Sequence, residues 1–211
     1  MSAARATVRR LVTALVAVVL LGAGTTAWDD ANGDRAPHGA VLRDLDGRPV
    51  ALESAPDVDA ADVRATGGRL VAPHQELDVP LLAMTSPSGT LTPPTLTDAF
   101  LLREHGAPGT PGTSVVAVHA VAGGNAPGNA FVDPTPTGPV VTVAAGDPLV
   151  VDGVTYTVTS AEVLDKQAAR TAQSIWGPAD DRTDRLVVLT CLQRGATGPA
   201  TENLVIHAVR L

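Results

Sequence analysis

The chain has 211 residues, a formal net charge of −7 and a single cysteine. An acidic balance with only 2% aromatic residues excludes a nucleic-acid-binding face, which needs a basic surface and stacking side chains. One cysteine excludes an intramolecular disulfide, so the packing of apolar side chains must stabilise the fold. The length predicts one domain with shorter appendages.

Residues 1–27 have the pattern of an export segment. Three arginines among residues 5–10 precede an apolar run from Leu11 to Ala27, the order found in a secretory signal or an uncleaved anchor. The run is at the lower edge of the roughly 17–25 residues that span a bilayer, so cleavage and retention both stay open. We expect one N-terminal membrane anchor with the remaining chain outside the cytoplasm, or a secreted protein if the segment is cleaved.

Residues 28–66 are rich in acidic residues, arginine, proline and glycine and have no sustained apolar period. Such a stretch buries too little surface to offset its ordering entropy, so it is interpreted as a flexible linker or stalk. Within it, Asp46-Gly47 is a turn signal that indicates a short hairpin.

From residue 67 to residue 211 the sequence alternates between short apolar runs and Gly/Pro turns, which predicts a single all-β domain. About six to eight strands are expected, with a hairpin at Asp152-Gly153. Residues 95–106 are the best candidate helix, and residues 166–175 are the next. Many short strands and one or two short helices indicate a closed β-barrel rather than βαβ layers.

Cys191 lies at the end of the apolar run Leu186–Thr190, directly before a polar turn. One interpretation is a buried packing thiol, because cysteine is among the most buried residue types. The other is a nucleophile, because exported proteins avoid unpaired thiols that serve no purpose and because loop mouths are reachable by substrate. The ordinary thiol pKa of about 8.5 leaves little thiolate at neutral pH, so a nucleophile needs a histidine or cation beside it.

His119 is the histidine whose position matches that of Cys191, since it also ends an apolar strand at the mouth of a loop. A thiolate that attacks a carbonyl further requires a donor for the oxyanion, and Arg194 is a candidate three residues after the cysteine. Neither a metal site nor a cofactor site is predicted, because the histidines are dispersed and no Cys cluster or HExxH spacing occurs.

Taken in order, the motifs of residues 67–211 resemble those of sortases, and more narrowly the class E or F sortases of actinobacteria. The similar segments are "GRLVAPHQELDVPL", "HGAPGTPGTSVVAVH", "GNAF", "AAGDPLVVDGVTYTVTSAEV" and "RLVVLTC". The separation of His119 and Cys191, 191 − 119 = 72 residues, fits the family as well.

The resemblance implies a membrane-anchored cysteine transpeptidase on an eight-stranded sortase-like barrel. Such an enzyme cleaves an LPXTG-like sorting-signal peptide through a thioacyl intermediate, which an amine of a cell-wall precursor or a pilin resolves. Carried over by position, Cys191 would be the nucleophile and His119 the acid/base.

The family arginine that precedes the last strand is replaced by Thr201 in our alignment of the motifs, so Arg194 would have to supply the guanidinium. Without such a donor, the chain would be a catalytically weak or silent sortase-like barrel that acts as an extracellular binding or assembly module. A third possibility is an L,D-type peptidoglycan transpeptidase, but the sequence "VLTC" that ends at Cys191 differs from the "SHGC" typical of that class.

Overall fold

The computed structural model describes residues 41–51, 62–86, 91–177, 183–195 and 199–210. The predicted export segment, residues 1–27, therefore lies outside the described residues. Within the described ranges, no helix combines the length and the apolar character needed to cross a membrane.

Short strands separated by tight turns make up nearly all of the regular structure. In chain order they are β1 (Val41–Arg43), β2 (Pro49–Ala51), β3 (Arg64–Ala72), β4 (Leu77–Met84), β5 (Ala99–Leu102), β6 (Gly112–Ala117), β7 (Val132–Thr135), β8 (Gly138–Val141), β9 (Pro148–Val151), β10 (Val154–Asp165), β11 (Asp184–Leu192) and β12 (Glu202–Val209). Two one-turn helices, α1 (Lys166–Ala169) and α2 (Gln173–Trp176), lie between β10 and β11. Single 3₁₀ turns occupy Pro73–Gln75 and Pro127–Phe131.

Eight of these strands form a closed barrel in the order β10-β12-β11-β6-β5-β4-β3-β9, with β9 pairing back onto β10. The pairs β4–β5 and β6–β11 are parallel and the other pairs of the barrel are antiparallel. The prediction of an all-β closed barrel of about eight strands with one or two short helices is confirmed. Two further two-stranded sheets, β1–β2 and β7–β8, lie outside the barrel.

Alternation along each strand sends side chains into two separate apolar clusters. On β11, Leu186 and Val188 belong to a cluster with side chains from all eight barrel strands, which fills the interior. Val187 and Leu189 point the opposite way, into a second cluster that α1 and α2 cover. Burial on both faces explains why β11 is a continuous apolar run rather than an alternating one.

Three local predictions can be compared directly with the structure. The hairpin at Asp152-Gly153 is confirmed, because both residues have positive φ, 52° and 78°, as a two-residue type I′ turn requires. The helix predicted over residues 95–106 is wrong, since Ala99–Leu102 forms β5, bonded between β4 and β6. A four-residue apolar run fits a buried strand as well as a helix, and tertiary pairing decided between them. The helical segment predicted at 166–175 is present as α1 and α2.

Part of the predicted linker is ordered against the barrel. The Asp46-Gly47 hairpin is present as β1–β2, with Gly47 at a φ of 76°. Its apolar side chains Leu42 and Val50 pack on a small cluster that contains Val121. The first barrel strand, β3, begins at Arg64, three residues before the predicted boundary at residue 67.

The phenol of Tyr156 stabilises the end of the barrel where β11 begins. Cys191 lies near the other end of that strand. The phenol donates to Asp184 Oδ1 at 2.8 Å and accepts from the backbone N–H of Gly109 at 3.0 Å. Burial, together with the neighbouring Asp184, raises the pKa of Tyr156 to about 12, so the phenol remains a donor at physiological pH.

We expect Tyr156→Phe to lower the free energy of unfolding by about 1–3 kcal/mol, because two partly buried partners lose their hydrogen bonds to the phenol. Urea unfolding at neutral pH measures this loss. The matched control is Thr137→Val, since the side chain of Thr137 is exposed and, within the described residues, bonds only to the half-buried Thr135. Equal stability of Tyr156→Phe and wild type would contradict this role.

Candidate active site

The parallel pairing of β6 and β11 brings His119 next to Cys191. Ala117 is the register partner of Leu189, and the N–H of Val118 donates to the carbonyl of Leu189 at 3.0 Å, so the register continues past the end of β6. Two residues further along, His119 stands beside Cys191. Paired residues of neighbouring strands project to the same face, and both side chains line one cavity.

On the other side of Cys191, the antiparallel strand β12 contributes Asn203. Cys191 and Asn203 are direct register partners, and Asn203 lines the same cavity. Since Leu204 and Ile206 point into the barrel, Asn203 projects outward with the cysteine. The three residues therefore form a row, His119–Cys191–Asn203, across three adjacent strands.

The ring of His119 is held in one orientation by its neighbours. Its Nε2 lies 2.8 Å from the carbonyl oxygen of Pro93, and because a carbonyl can only accept, Nε2 carries a proton in either charge state. The backbone carbonyl of His119 accepts from the N–H of Gly128 at 2.7 Å. Of the two ring nitrogens of His119, Nδ1 is therefore the one that can gain or lose a proton in the site.

Gln193 links the two halves of the site. Its side-chain Nε2 donates to the carbonyl of Ala120 at 3.2 Å, so the segment after Cys191 is tied to the segment after His119. This bond occupies one of the two N–H donors of Gln193, two residues from the thiol.

The cavity has a volume of about 1140 Å³ and is lined by separate parts of the chain. Apolar side chains of the outer cluster, Leu102, Ala169, Trp176 and Leu189, form one side. The charged residues that line it are Asp44, Arg48, Glu104, Lys166 and Arg170. A site of this size accommodates an extended peptide segment with both apolar and charged contacts.

The β1–β2 hairpin forms one wall of this cavity and is held by Asp44. The buried carboxylate of Asp44 accepts from the N–H of Asn125 at 2.9 Å and from the N–H groups of Asp46 and Arg48 at 3.0 and 2.8 Å. The N–H of Leu45 in turn donates to the carbonyl of Asn125 at 2.7 Å. The hydrogen bond from the N–H of Asn125 is the largest cause that lowers the pKa of Asp44, and the bonds from the N–H groups of Arg48 and Asp46 lower it further.

Arg194, the predicted oxyanion donor, is not brought to the cavity. Its guanidinium is exposed and pairs with Glu202, and it is not a lining residue. Thr201, which the motif alignment placed at the family arginine, also lies outside the lining; the residue opposite Cys191 is Asn203. The role predicted for Arg194 stays a prediction.

The other histidines are distributed over different surroundings. His74 pairs with Asp147 and His207 with Glu162, each at 2.9 Å and away from the cavity. His105 does line the cavity, with its ring centroid 5.5 Å from that of Trp176. His38 lies outside the described residues. Within the described residues no group of three or more His, Cys, Asp or Glu side chains could hold a metal ion.

Sequence reasoning missed Asn203 and the cavity wall formed by the hairpin. A signal for Asn203 exists in the alternation of β12, where the interior residues Leu204, Ile206 and Ala208 place Asn203 on the other face. The docking of the hairpin has no comparable signal, because it depends on the pairing of Asp44 with Asn125, 81 residues away.

This arrangement is suited to acyl transfer. It offers a thiol at a strand end, an imidazole beside it with a fixed tautomer, and an amide side chain opposite, all at the edge of a cavity. A nucleophile with an adjacent acid/base and a nearby polar donor is the minimum set for attack on a carbonyl carbon.

No protein-family model and no curated protein matches the sequence. Several sortases are among the solved structures similar to the chain. A lid mutant of sortase A from Corynebacterium diphtheriae is 18% identical, with a TM-score of 0.49 over 68% of this chain and 69% of that chain. Sortase A of Listeria monocytogenes is 19% identical, with a TM-score of 0.49 over 68% and 86%. Sortase C from Clostridium perfringens SM101 is 20% identical, with a TM-score of 0.48 over 76% and 78%. At identities and TM-scores this low, the similarities assign no family, substrate or reaction to this chain.

Gly128 is expected to be essential for the position of His119. A Cβ at this position would lie 2.0 Å from Thr190 Oγ1 and 2.7 Å from the backbone oxygen of His119. Gly128→Ala should therefore lower the free energy of unfolding by about 1–3 kcal/mol through overpacking. Chemical denaturation measures the effect.

A double variant separates the two clashes at Gly128. Thr190 Oγ1 is buried and has no hydrogen-bond partner within the described residues, so Thr190→Ala removes no such bond. Gly128→Ala combined with Thr190→Ala should recover part of the lost stability, while the clash with the His119 carbonyl remains. Full additivity of the two single changes would contradict this packing.

Docking of the hairpin should depend on the charge of Asp44. A folded-state pKa below the unfolded value means that the stabilisation is complete above the unfolded value near 3.8 and is lost as pH falls through the folded value. Asp44→Asn should make the 41–51 segment more sensitive to limited proteolysis at pH 7. The difference from wild type in unfolding free energy should disappear in acid, and a difference that persists at pH 2 would contradict the role of the carboxylate.

Proposed function

We propose that this protein is a cysteine transpeptidase of the sortase type, with Cys191 as nucleophile and His119 as acid/base. The observation that carries the proposal is the placement of Cys191 beside His119, on adjacent parallel strands, at the edge of a cavity of about 1140 Å³. The order of motifs from residue 67 to residue 211, which resembles that of class E or F sortases, supports the same reaction independently of the geometry.

The first half of the reaction forms a thioester. The thiolate of Cys191 attacks the carbonyl carbon of a peptide bond, forming a C–S bond while the carbonyl electron pair moves onto oxygen. Collapse of this tetrahedral species breaks the C–N bond, and the leaving amine takes a proton from the imidazolium of His119. The hydrogen bond to Pro93 keeps Nε2 protonated throughout, so Nδ1 delivers that proton.

The second half regenerates the thiol. An acceptor amine attacks the thioester carbon, transfers its proton to His119, and displaces the sulfur of Cys191 as the new amide forms. Water in place of the amine gives hydrolysis. The proposed substrate is an LPXTG-like sorting-signal peptide, and the proposed acceptor is an amine of a cell-wall precursor or a pilin.

The proposed location is the outer face of the cell membrane, reached through the N-terminal segment. Residues 1–27 support an anchor or a cleaved signal by sequence alone. In either case the catalytic barrel would meet peptide and amine substrates outside the cytoplasm.

The decisive experiment incubates the full-length protein with an LPXTG-type peptide, with and without an amine acceptor. We expect a mass increase on Cys191 equal to the acyl fragment, and a ligated product when amine is present. Cys191→Ala should abolish both products while it retains wild-type circular dichroism and unfolding behaviour. His119→Ala should reduce turnover by about 10²–10⁴-fold, as expected for loss of a general acid/base.

The matched control is His74→Ala, because His74 is exposed, pairs with Asp147 and does not line the cavity. Its turnover should equal that of wild type. Ligation by Cys191→Ala would refute the mechanism. A wild-type thiol that stays inert to iodoacetamide until the protein unfolds would instead favour a catalytically silent barrel that acts as a binding or assembly module.

A further inference from the structure

We infer that Asn203 is the oxyanion donor of this site, supplying its side-chain N–H from the strand opposite Cys191. This inference rests on the proposed function, because an oxyanion arises only if Cys191 attacks a carbonyl carbon. It concerns a residue that the sequence motifs did not mark, at a position fixed by the β11–β12 register.

Register determines how closely the two side chains approach. Directly opposed residues of an antiparallel pair have Cβ atoms about 4.5–5.5 Å apart. At that separation, an oxyanion formed on a carbon bonded to the sulfur can come within hydrogen-bond range of an amide nitrogen that extends from the opposing Cβ. Cys191 and Asn203 are such a pair, and both line the cavity that the carbonyl group must enter.

The two residues that flank Cys191 in the row have different roles in the proposed reaction. His119, on the β6 side of Cys191, exchanges protons with the nitrogen that leaves or enters. Asn203, on the β12 side, is placed to meet the oxygen. A tetrahedral centre on sulfur presents its nitrogen and its oxygen in different directions, so an acid/base and a donor on opposite flanks serve both atoms at once.

Other side-chain donors line the cavity, namely Arg48, Lys166, Arg170 and Gln193, but none of them is a register partner of Cys191. Gln193 donates to the carbonyl of Ala120, and Arg194 pairs with Glu202 outside the cavity lining. Arg48 pairs with Asp46 in the hairpin. Among the described residues, Asn203 is the side-chain amide in direct register with the nucleophile.

The chemical role follows from charge. Each tetrahedral intermediate carries a full negative charge on the former carbonyl oxygen, and it loses that charge when the C–N or C–S bond breaks. A preoriented donor stabilises the charged tetrahedral intermediate more than it stabilises the neutral carbonyl of the substrate. This differential stabilisation accelerates the reaction. An amide donor is neutral, so it leaves the charge balance between the thiol and His119 undisturbed.

The test compares two reactions of the same thiol in the full chain. Acylation of Cys191 by p-nitrophenyl acetate passes through an oxyanion, whereas alkylation by iodoacetamide displaces iodide at a saturated carbon and forms none. We expect Asn203→Ala to slow acylation by about 10²–10³-fold and to leave the alkylation rate and its pH profile unchanged. Asn203→Gln, which retains the donor on a longer stem, should recover part of the acylation rate.

Thr201→Ala serves as the matched control on the same strand border, since Thr201 does not line the cavity. The inference is overturned if Asn203→Ala acylates at the wild-type rate, or if acylation and alkylation fall together, because the residue would then act on the thiolate or on the fold. It is also overturned if Arg194→Ala, rather than Asn203→Ala, loses acylation selectively.

Failure of the proposed function has a different signature. A wild-type protein that is acylated by the ester in an Asn203-dependent manner but never ligates an LPXTG-type peptide to an amine would refute the sorting reaction and leave the role of Asn203 intact. A wild-type thiol that alkylates but is not acylated would overturn both.

Discussion

The parallel pairing of β6 with β11 is the constraint on which the candidate site depends. In a parallel pair the two strands run in the same direction, so their carboxyl ends meet at one edge of the sheet. His119 follows the end of β6 and Cys191 lies near the end of β11, and the shared register brings them side by side. Closure of the barrel then leaves β11 little freedom to slip, because β12 holds its other edge over eight register pairs. The relative position of the two side chains is thus a property of the barrel rather than of a flexible loop.

Around this fixed row, the walls of the cavity come from segments that are attached in different ways. The hairpin of residues 41–51 is held by a buried carboxylate and a few apolar contacts. The α1–α2 segment is held by Ile175 and Ala169 in the outer apolar cluster and by the Trp176 indole, which donates to the carbonyl of Ala169 at 2.7 Å. Pairing within the barrel therefore positions His119, Cys191 and Asn203, and shorter elements with fewer packed side chains form the walls around them.

Much of the barrel could be predicted from the sequence, because short apolar runs between turn residues have few alternative interpretations. The positions of Cys191 and His119 at strand ends followed from the same pattern. Residues 95–106 were mispredicted because Ala99–Leu102 is too short for its period to separate helix from strand. The register could not be predicted, since it depends on bulges and turn lengths, so the sequence did not show that Asn203 is the residue opposite Cys191.

The position of β12 in the sheet also has a consequence for biosynthesis. This strand is inserted between β10 and β11, although both precede it in the chain. A growing polypeptide that has been synthesised only as far as Leu192 contains the thiol but lacks β12, the strand that closes the barrel between β10 and β11. The complete row around Cys191 can form only after residues 202–209 have emerged. The surroundings of Cys191 are in this way coupled to completion of the barrel, so a chain that ends before β12 would carry the cysteine without Asn203 opposite it.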